Sequence, residues 1–147
     1  MMDAGRIYNE KELPQLGMLP IVKDDKVFKL YTFLYELRWN PIVRIIEFDK
    51  YFRFEVWDCK VLLSSDSNFL ILSVKLTTQT DNPEIYVIDL EILKYCVVTG
   101  DEVVAFEFPY LTHNSPNFDK KPFCYSLNYQ VWLDLPSQMV KQTYYYK

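Results

Sequence analysis

The chain has 147 residues, half of them hydrophobic and 17% aromatic, so it has the length of one domain and the composition of an ordered protein. Its three scattered glycines exclude the glycine-rich loops that bind nucleotide phosphates, and its net charge of −4 argues against a nucleic-acid-binding surface. Cys59, Cys96 and Cys124 are odd in number and too far apart for zinc spacing, which indicates reduced thiols in the cytoplasm.

The N-terminal region is predicted to be an irregular arm over residues 1–23. It contains Pro14, Gly17 and Pro20 among apolar positions, so we expect it to pack on its own domain or on a neighbouring subunit. The first six residues lack the apolar core of a signal peptide, and no run of 18 apolar residues occurs. We therefore expect neither classical secretion nor a membrane-spanning helix. Residues 24–147 are predicted to form a single β-rich domain.

One N-terminal helix is predicted over residues 25–39. Polar residues recur there at helical spacing, an aspartate can cap the first turn, and Asn40-Pro41 would end the helix. A strand is the competing interpretation, because aromatic residues alternate through the same segment. These aromatic residues are Tyr31, Phe33 and Tyr35.

From Ile42 onward the hydrophobic residues recur with period two, which predicts a mainly β (α+β) protein with an antiparallel sheet, either sandwich or barrel-like. The first hairpin has Asp49-Lys50 as its two loop residues, and this register places Arg44 opposite Glu55. One face of the hairpin then collects apolar residues and becomes the predicted core side. These residues are Val43, Ile45, Phe52, Phe54 and Val56.

The same alternation predicts three later strands, at residues 69–78, 84–90 and 123–134. A second hairpin is predicted over residues 95–108, folded at Gly100-Asp101. Residues 109–122 contain three prolines and are predicted to be a long irregular connection. The tail, residues 135–147, is predicted to be either a last strand or a short arm.

His113 is the only histidine, so ordinary nucleophilic catalysis would have to use it as the base. Cys124 or Ser115 would then attack, and Asp119 would orient the imidazole ring. Neither sequence context resembles a nucleophile elbow or a thiol-protease signature. We therefore predict no catalytic residues and interpret His113 as an ordinary loop residue.

Carboxylate pairs suited to glycoside chemistry are Glu47 with Glu55 and Glu102 with Glu107. A β-rich chain with 20 acidic residues contains such pairs by chance, and in the predicted hairpin register Glu47 and Glu55 point to opposite faces. One histidine and dispersed cysteines do not have the spacing of a metal site. We therefore predict no cofactor and no metal.

The excess of aromatic residues and the apolar terminal segments predict a non-catalytic protein–protein interaction module. It would be a structural subunit of a larger assembly or a small acidic inhibitor or immunity-type partner, binding another protein or a second copy of itself. We expect no nucleic-acid or membrane partner. The candidate interface residues are Tyr51, Arg53, Trp57, Trp132, Tyr144, Tyr145 and Tyr146.

The alternative hypothesis is a small-ligand or carbohydrate-binding β-barrel. The proline-bounded loop at residues 109–122 would cover its pocket, and His113 would make it weakly enzymatic. A concave apolar cavity with His113 at its mouth is the observation that would favour this hypothesis.

Overall fold

The computed structural model describes residues 6–8, 17–36, 42–76, 83–114 and 122–142. Most of these residues lie in strands, which confirms the mainly β, antiparallel prediction. The described part contains a short 3-10 helix, Leu127–Tyr129, and no helix with the length and apolar character needed to cross a membrane. In chain order the strands are β1 (Arg6–Tyr8), β2 (Gly17–Lys23), β3 (Lys26–Glu36), β4 (Ile42–Phe48), β5 (Phe52–Leu63), β6 (Phe69–Leu76), β7 (Glu84–Asp89), β8 (Lys94–Thr99), β9 (Val103–Glu107), β10 (Tyr110–Asn114), β11 (Pro122–Ser126), β12 (Leu133–Asp134) and β13 (Val140–Gln142).

The strands form one large and one small sheet. The large sheet has the order β12-β8-β7-β6-β5-β4-β3-β2, with β1 and β13 also pairing with β5, and the small sheet has the order β11-β10-β9. Strand β5 pairs with β4 through its first half and with β6 through its second half, with a register shift between Val56 and Asp58. Among the described residues the large sheet ends at β2 and β12, so it is open rather than closed into a barrel.

Strands β6 and β7 are buried on both faces. One face of β6 joins a first core cluster with residues of β2–β5, and the other face joins a second core cluster with residues of the small sheet. The described chain therefore forms three packed layers. Burial on both faces explains why the sequence of β6 is an almost unbroken run of apolar residues. The predicted common face of β6 is confirmed. It carries Leu70, Leu72, Val74 and Leu76.

The predicted N-terminal helix is wrong, because Lys26–Glu36 is a strand. It pairs with β2 on one side and β4 on the other, and residues 37–39 lie outside the described part. Buried Phe28, Leu30 and Thr32 alternate with more exposed residues. Burial along this segment therefore follows the period of two that is typical of a strand. Pairing with the two flanking strands therefore stabilises an extended conformation, although the polar residues of the segment recur at helical spacing.

The prediction of an irregular N-terminal arm is also wrong for the residues that the structure describes. Gly17–Lys23 forms β2, which pairs along its whole length with β3, and Arg6–Tyr8 pairs with β5. Asp24 and Asp25 form the tight turn between β2 and β3, with Asp24 in the left-handed region at φ 53°. The boundary predicted at residue 23 therefore coincides with a hairpin turn inside one sheet.

The first hairpin exists, but its register differs from the prediction by one residue. Its loop is Asp49-Lys50-Tyr51, closed by a 3.0 Å hydrogen bond from the Tyr51 amide to the Phe48 carbonyl. Asp49 adopts a φ of 46°, and its carboxylate accepts hydrogen bonds from the backbone amides of Lys29 and Lys50. These bonds stabilise a three-residue turn instead of a two-residue one.

This shift changes which side chains face each other across β4 and β5. Arg44 lies opposite Val56 instead of Glu55, and Glu47 lies opposite Arg53, with 2.5 Å between carboxylate and guanidinium. Phe52, Phe54 and Val56 share the buried face as predicted, whereas Ile45 is buried on the other face of the hairpin. The side chain of Val43 is outside the described part.

The prediction of a second hairpin folded at Gly100-Asp101 is wrong. Strand β8 pairs with β7 and β12, whereas β9 pairs with β10, so the chain passes from the large sheet to the small one at Gly100. The Gly100 amide donates instead to the carbonyl of Pro83 at 3.0 Å.

Two predictions further along the chain are also wrong. The connection predicted over residues 109–122 contains strand β10 in its first half, and its remainder, residues 115–121, is not described. The long strand predicted over residues 123–134 is broken into β11, the 3-10 helix and β12. In the tail, β13 fits the last-strand alternative, and residues 143–147 are not described.

Candidate functional site

The structure does not gather the candidate interface residues into one patch. Tyr51 packs against the first core cluster and Trp132 against the second. Arg53 is held in its ion pair with Glu47, and Trp57 is partly exposed beside the register shift in β5. The three tyrosines at positions 144, 145 and 146 lie outside the described residues, so their prediction remains open.

The most exposed group of large apolar side chains lies elsewhere, around the turn between β9 and β10. We call it the Phe108 face, and its members are between 50% and 88% exposed. Each belongs to a short segment fixed against a buried core. The members are Phe108, Tyr129 and Val131.

Backbone hydrogen bonds and ring packing hold these segments together. The Leu127 amide donates to the Pro109 carbonyl at 2.7 Å, which places the 3-10 helix against the β9–β10 turn. The rings of Phe108 and Trp132 lie 6.4 Å apart, and Phe108 also stacks on Phe69 at 5.0 Å. Leu133 is exposed too, but it lies opposite Tyr95 on the side of the first core, so it is not part of this face. The Phe108 face is therefore built on ordered backbone at every point.

The sequence prediction missed this face because alternation alone does not show where a strand ends. One long strand over residues 123–134 would place Tyr129, Val131 and Leu133 together on its apolar face, yet all three are exposed. The strand stops at Ser126, whose hydroxyl accepts a 3.4 Å hydrogen bond from the Asn128 amide and caps the 3-10 helix. The turn that follows directs these side chains outward.

A depression of about 200 Å³ borders the Phe108 face. Aromatic rings form part of its lining, and two carboxylates lie with them. The lining residues are Ser64, Asp66, Phe69, Phe106, Glu107 and Phe108. Rings next to carboxylates form a surface that suits a cationic side chain with an apolar stem.

Asp66 is the better ordered of the two carboxylates. It accepts hydrogen bonds from the Ser64 hydroxyl at 2.7 Å and from the Asn68 amide at 2.9 Å. Desolvation by burial raises the pKa of the Asp66 carboxyl, but these two hydrogen bonds and the nearby Lys23 ammonium outweigh it, so the pKa lies below its usual value. The depression therefore carries a fixed negative charge at neutral pH.

His113 lies in strand β10, in the small sheet, and is buried against the second core. Its Nδ1 lies 2.9 Å from the Asn114 carbonyl oxygen, and its ring packs 5.7 Å from the ring of Phe123. Cys124 pairs with Thr112, one residue along, so its side chain points to the opposite face of the small sheet. Ser115 and Asp119 are not described. The structure thus places His113 in packing rather than at the mouth of the depression.

The cysteines differ sharply in exposure. Cys59 and Cys96 are buried and Cys124 is exposed, and all three are free thiols. Burial raises the pKa of the Cys96 thiol to about 12, so almost no reactive thiolate forms there at neutral pH.

We therefore expect a thiol reagent such as DTNB to label one cysteine per folded chain, at Cys124. Complete unfolding should release all three thiols, because the protection of Cys59 and Cys96 comes from burial. Absorbance of the released thiolate measures both numbers, and a Cys124→Ser variant is the control. Rapid labelling of folded Cys124→Ser would contradict the assignment.

The remaining candidates do not assemble into a reactive cluster within the described ranges. The prediction that Glu47 and Glu55 point to opposite faces of the hairpin is wrong, because the shifted register puts both on one face, with Glu47 opposite Arg53 and Glu55 opposite Ile45. Glu102 forms an ion pair with Lys60 at 3.7 Å. No group of three or more potential metal ligands occurs among the described residues. Compared with protein-family models, curated proteins and solved structures, the chain matches none of them.

Proposed function

We propose that this chain is a non-catalytic protein–protein interaction module whose contact surface is the Phe108 face. The observation that carries the proposal is the concentration of large, exposed apolar side chains on neighbouring ordered segments. Contiguous exposed apolar patches on ordered domains mark interaction sites, because leaving them in water is unfavourable. Either a structural subunit of a larger assembly or a small acidic inhibitor would use such a surface.

The chemistry of the face supports a protein partner. Tyr, Phe and Trp contribute a large contact area for little loss of side-chain entropy, and they are enriched where binding energy concentrates. The segments are already fixed by backbone hydrogen bonds, such as that from the Leu127 amide to the Pro109 carbonyl, so binding would cost little ordering. The rings of Phe108 and Trp132 would form the centre of the contact.

The charges at the border indicate what the partner carries. Asp66 and Glu107 line the depression beside Phe108, and the whole chain has a net charge of −4. A partner with lysine or arginine side chains around an apolar centre would complement this arrangement. Binding should then weaken as salt is added, because the exposed charges are screened.

The test compares two double variants of the full chain. Tyr129→Ser with Val131→Ser removes the most exposed part of the Phe108 face, whereas Val22→Ser with Val27→Ser removes two valines of 55% and 54% exposure from the β2–β3 hairpin. We expect wild type and the hairpin variant to retain one stoichiometric protein partner, identified by mass spectrometry, and the face variant to lose it. Light scattering distinguishes a foreign partner from a second copy. Equal retention by both variants, or a monomer that retains nothing, would refute the proposal.

A further inference from the structure

The depression beside the Phe108 face lies between two turns of different layers. One side is lined by the turn over residues 64–68, which joins β5 to β6, and the other by Glu107 and Phe108, where β9 leads into the β9–β10 turn. All of its lining residues belong to the described part of the chain. Its volume of about 200 Å³ is below the ~300–1,000 Å³ of pockets that enclose a whole small molecule, so it has room for one side chain.

The apolar part of the lining is a cluster of three phenylalanine rings. Phe69 stacks on Phe108 with 5.0 Å between the ring centroids, and it meets the ring of Phe106 edge-on, also at 5.0 Å. Phe69 and Phe106 are buried, whereas Phe108 is 50% exposed. A ring that is held in place and half exposed packs against an alkyl stem and attracts a cation to its face. The rings therefore offer contacts to both ends of a lysine or arginine side chain.

Two carboxylates complete the lining, and no basic residue lines it. The Asp66 carboxylate accepts hydrogen bonds from the Ser64 hydroxyl at 2.7 Å and from the backbone and side-chain N–H groups of Asn68 at 2.9 and 3.1 Å. These bonds hold the carboxylate in place, and since a carboxylate offers about four acceptor positions, one remains for a ligand. Glu107 is exposed and forms no ion pair within the described part of the chain.

The depression is not neutralised by Lys23, the cation that influences Asp66. The Lys23 ammonium lies 3.8 Å from the Asp24 carboxylate, at the turn between β2 and β3. Its positive charge acts on Asp66 from a distance, without an ion pair between the two. The depression therefore combines half-exposed aromatic surface with two carboxylates that can still receive a cation.

We propose that this depression takes one cationic side chain, a lysine or an arginine, of the protein that binds the Phe108 face. This inference rests on the proposed function and names the group that the partner presents. The alkyl stem packs along the rings of Phe69 and Phe108, and the ammonium or guanidinium lies between the carboxylates of Asp66 and Glu107. A partner with a neutral or acidic residue at this place leaves both carboxylates without compensation, so the depression selects among partners.

The test titrates the full chain with single-residue probes, without any partner protein, and follows the backbone amides by nuclear magnetic resonance at constant ionic strength. The cationic probes are N-acetyl-lysine methylamide and N-acetyl-arginine methylamide, and N-acetyl-norleucine methylamide supplies a similar stem without charge. Glu107→Gln removes a carboxylate from the depression, and Phe108→Leu removes the half-exposed ring. Glu91→Gln, at an exposed carboxylate in the turn between β7 and β8, is the matched control. The amide spectra also report whether each variant is folded.

We expect a cationic probe to shift the amides of residues 64–69 and of Glu107 and Phe108 in a saturable way, and the norleucine probe to give no saturable shift. Glu107→Gln should weaken binding of the cationic probe about twofold to fivefold, the effect of one exposed charge pair, and Phe108→Leu by a similar factor. Glu91→Gln should bind as wild type does. The tighter of the two cationic probes identifies the side chain as lysine or arginine.

Three results would overturn the pocket. The first is that neither cationic probe shifts these amides, and the second is that norleucine shifts them as strongly as the cationic probes do. The third is equal weakening by Glu107→Gln and Glu91→Gln, which indicates general attraction to a negatively charged chain. The outcome is separate from that of the proposed function, because no partner is present. If the Tyr129→Ser, Val131→Ser chain loses a partner that wild type retains, but no probe binds, the face stands and the pocket is rejected.

Discussion

Replacing Phe52 with alanine should destabilise the protein by about 3–5 kcal/mol, because it removes a large side chain from the junction between two layers. Phe52 is almost completely buried on β5. Its ring centroid lies 5.5 Å from that of Tyr86 on β7 and 4.9 Å from that of Tyr95 on β8. The neighbours belong to paired strands and cannot collapse into the cavity, so most of the lost packing stays lost.

The free energy of unfolding in urea checks this expectation, with Phe123→Ala as the matched control. Phe123 is half exposed on the edge strand of the small sheet, so the same substitution should cost less than about 1 kcal/mol there. Phe52→Leu restores much of the volume and should recover more than half of the loss. Similar costs at Phe52 and Phe123 would mean that the layers are not packed through Phe52.

Gly100→Ala should also destabilise the chain, by about 1–3 kcal/mol, for a steric reason. A Cβ atom at Gly100 would lie 2.7 Å from Nδ1 and 2.8 Å from Cε1 of His113. The imidazole ring cannot move away freely, because it is buried and its Nδ1 is 2.9 Å from the Asn114 carbonyl oxygen. One added methyl group therefore forces the large and small sheets apart where the chain passes between them.

A double-mutant cycle identifies the cause. In a His113→Ala background the ring is gone, so Gly100→Ala should become close to neutral, and the coupling between the two substitutions should equal most of the single-variant cost. Urea unfolding of the four chains gives the coupling directly. If Gly100→Ala is as costly without the ring as with it, the contact with His113 is not what requires glycine.

The sequence predicted the strands whose burial follows a single simple pattern. Strand β6 and the pairing of β4 with β5 were found because apolar residues dominate them and a polar turn separates β4 from β5. The segment Lys26–Glu36 was predicted to be helical because its polar residues also fit a helical spacing. Only the presence of strands on both sides distinguishes the two forms, and that information is not local.

The candidate site shows the same division. Aromatic content indicated an interaction surface, and Trp132 lies beside it, but the predicted interface did not include Phe108, Tyr129 or Val131. Alternation reports that two faces differ and leaves open which of them meets the core. The strand ends at Ser126, whose hydroxyl caps the 3-10 helix, and the residues after this turn no longer follow the alternation of the strand.

By itself, the sequence determined that this chain is an extended, antiparallel β structure, because period-two alternation and aromatic, β-branched composition act within each strand. Tertiary structure alone decided that Arg44 faces Val56 and that Glu47 faces Arg53, since a three-residue turn at Asp49 shifts every pair by one position. It also decided that the chain changes sheets at Gly100. Register and sheet membership depend on contacts between residues distant in sequence, which no local pattern records.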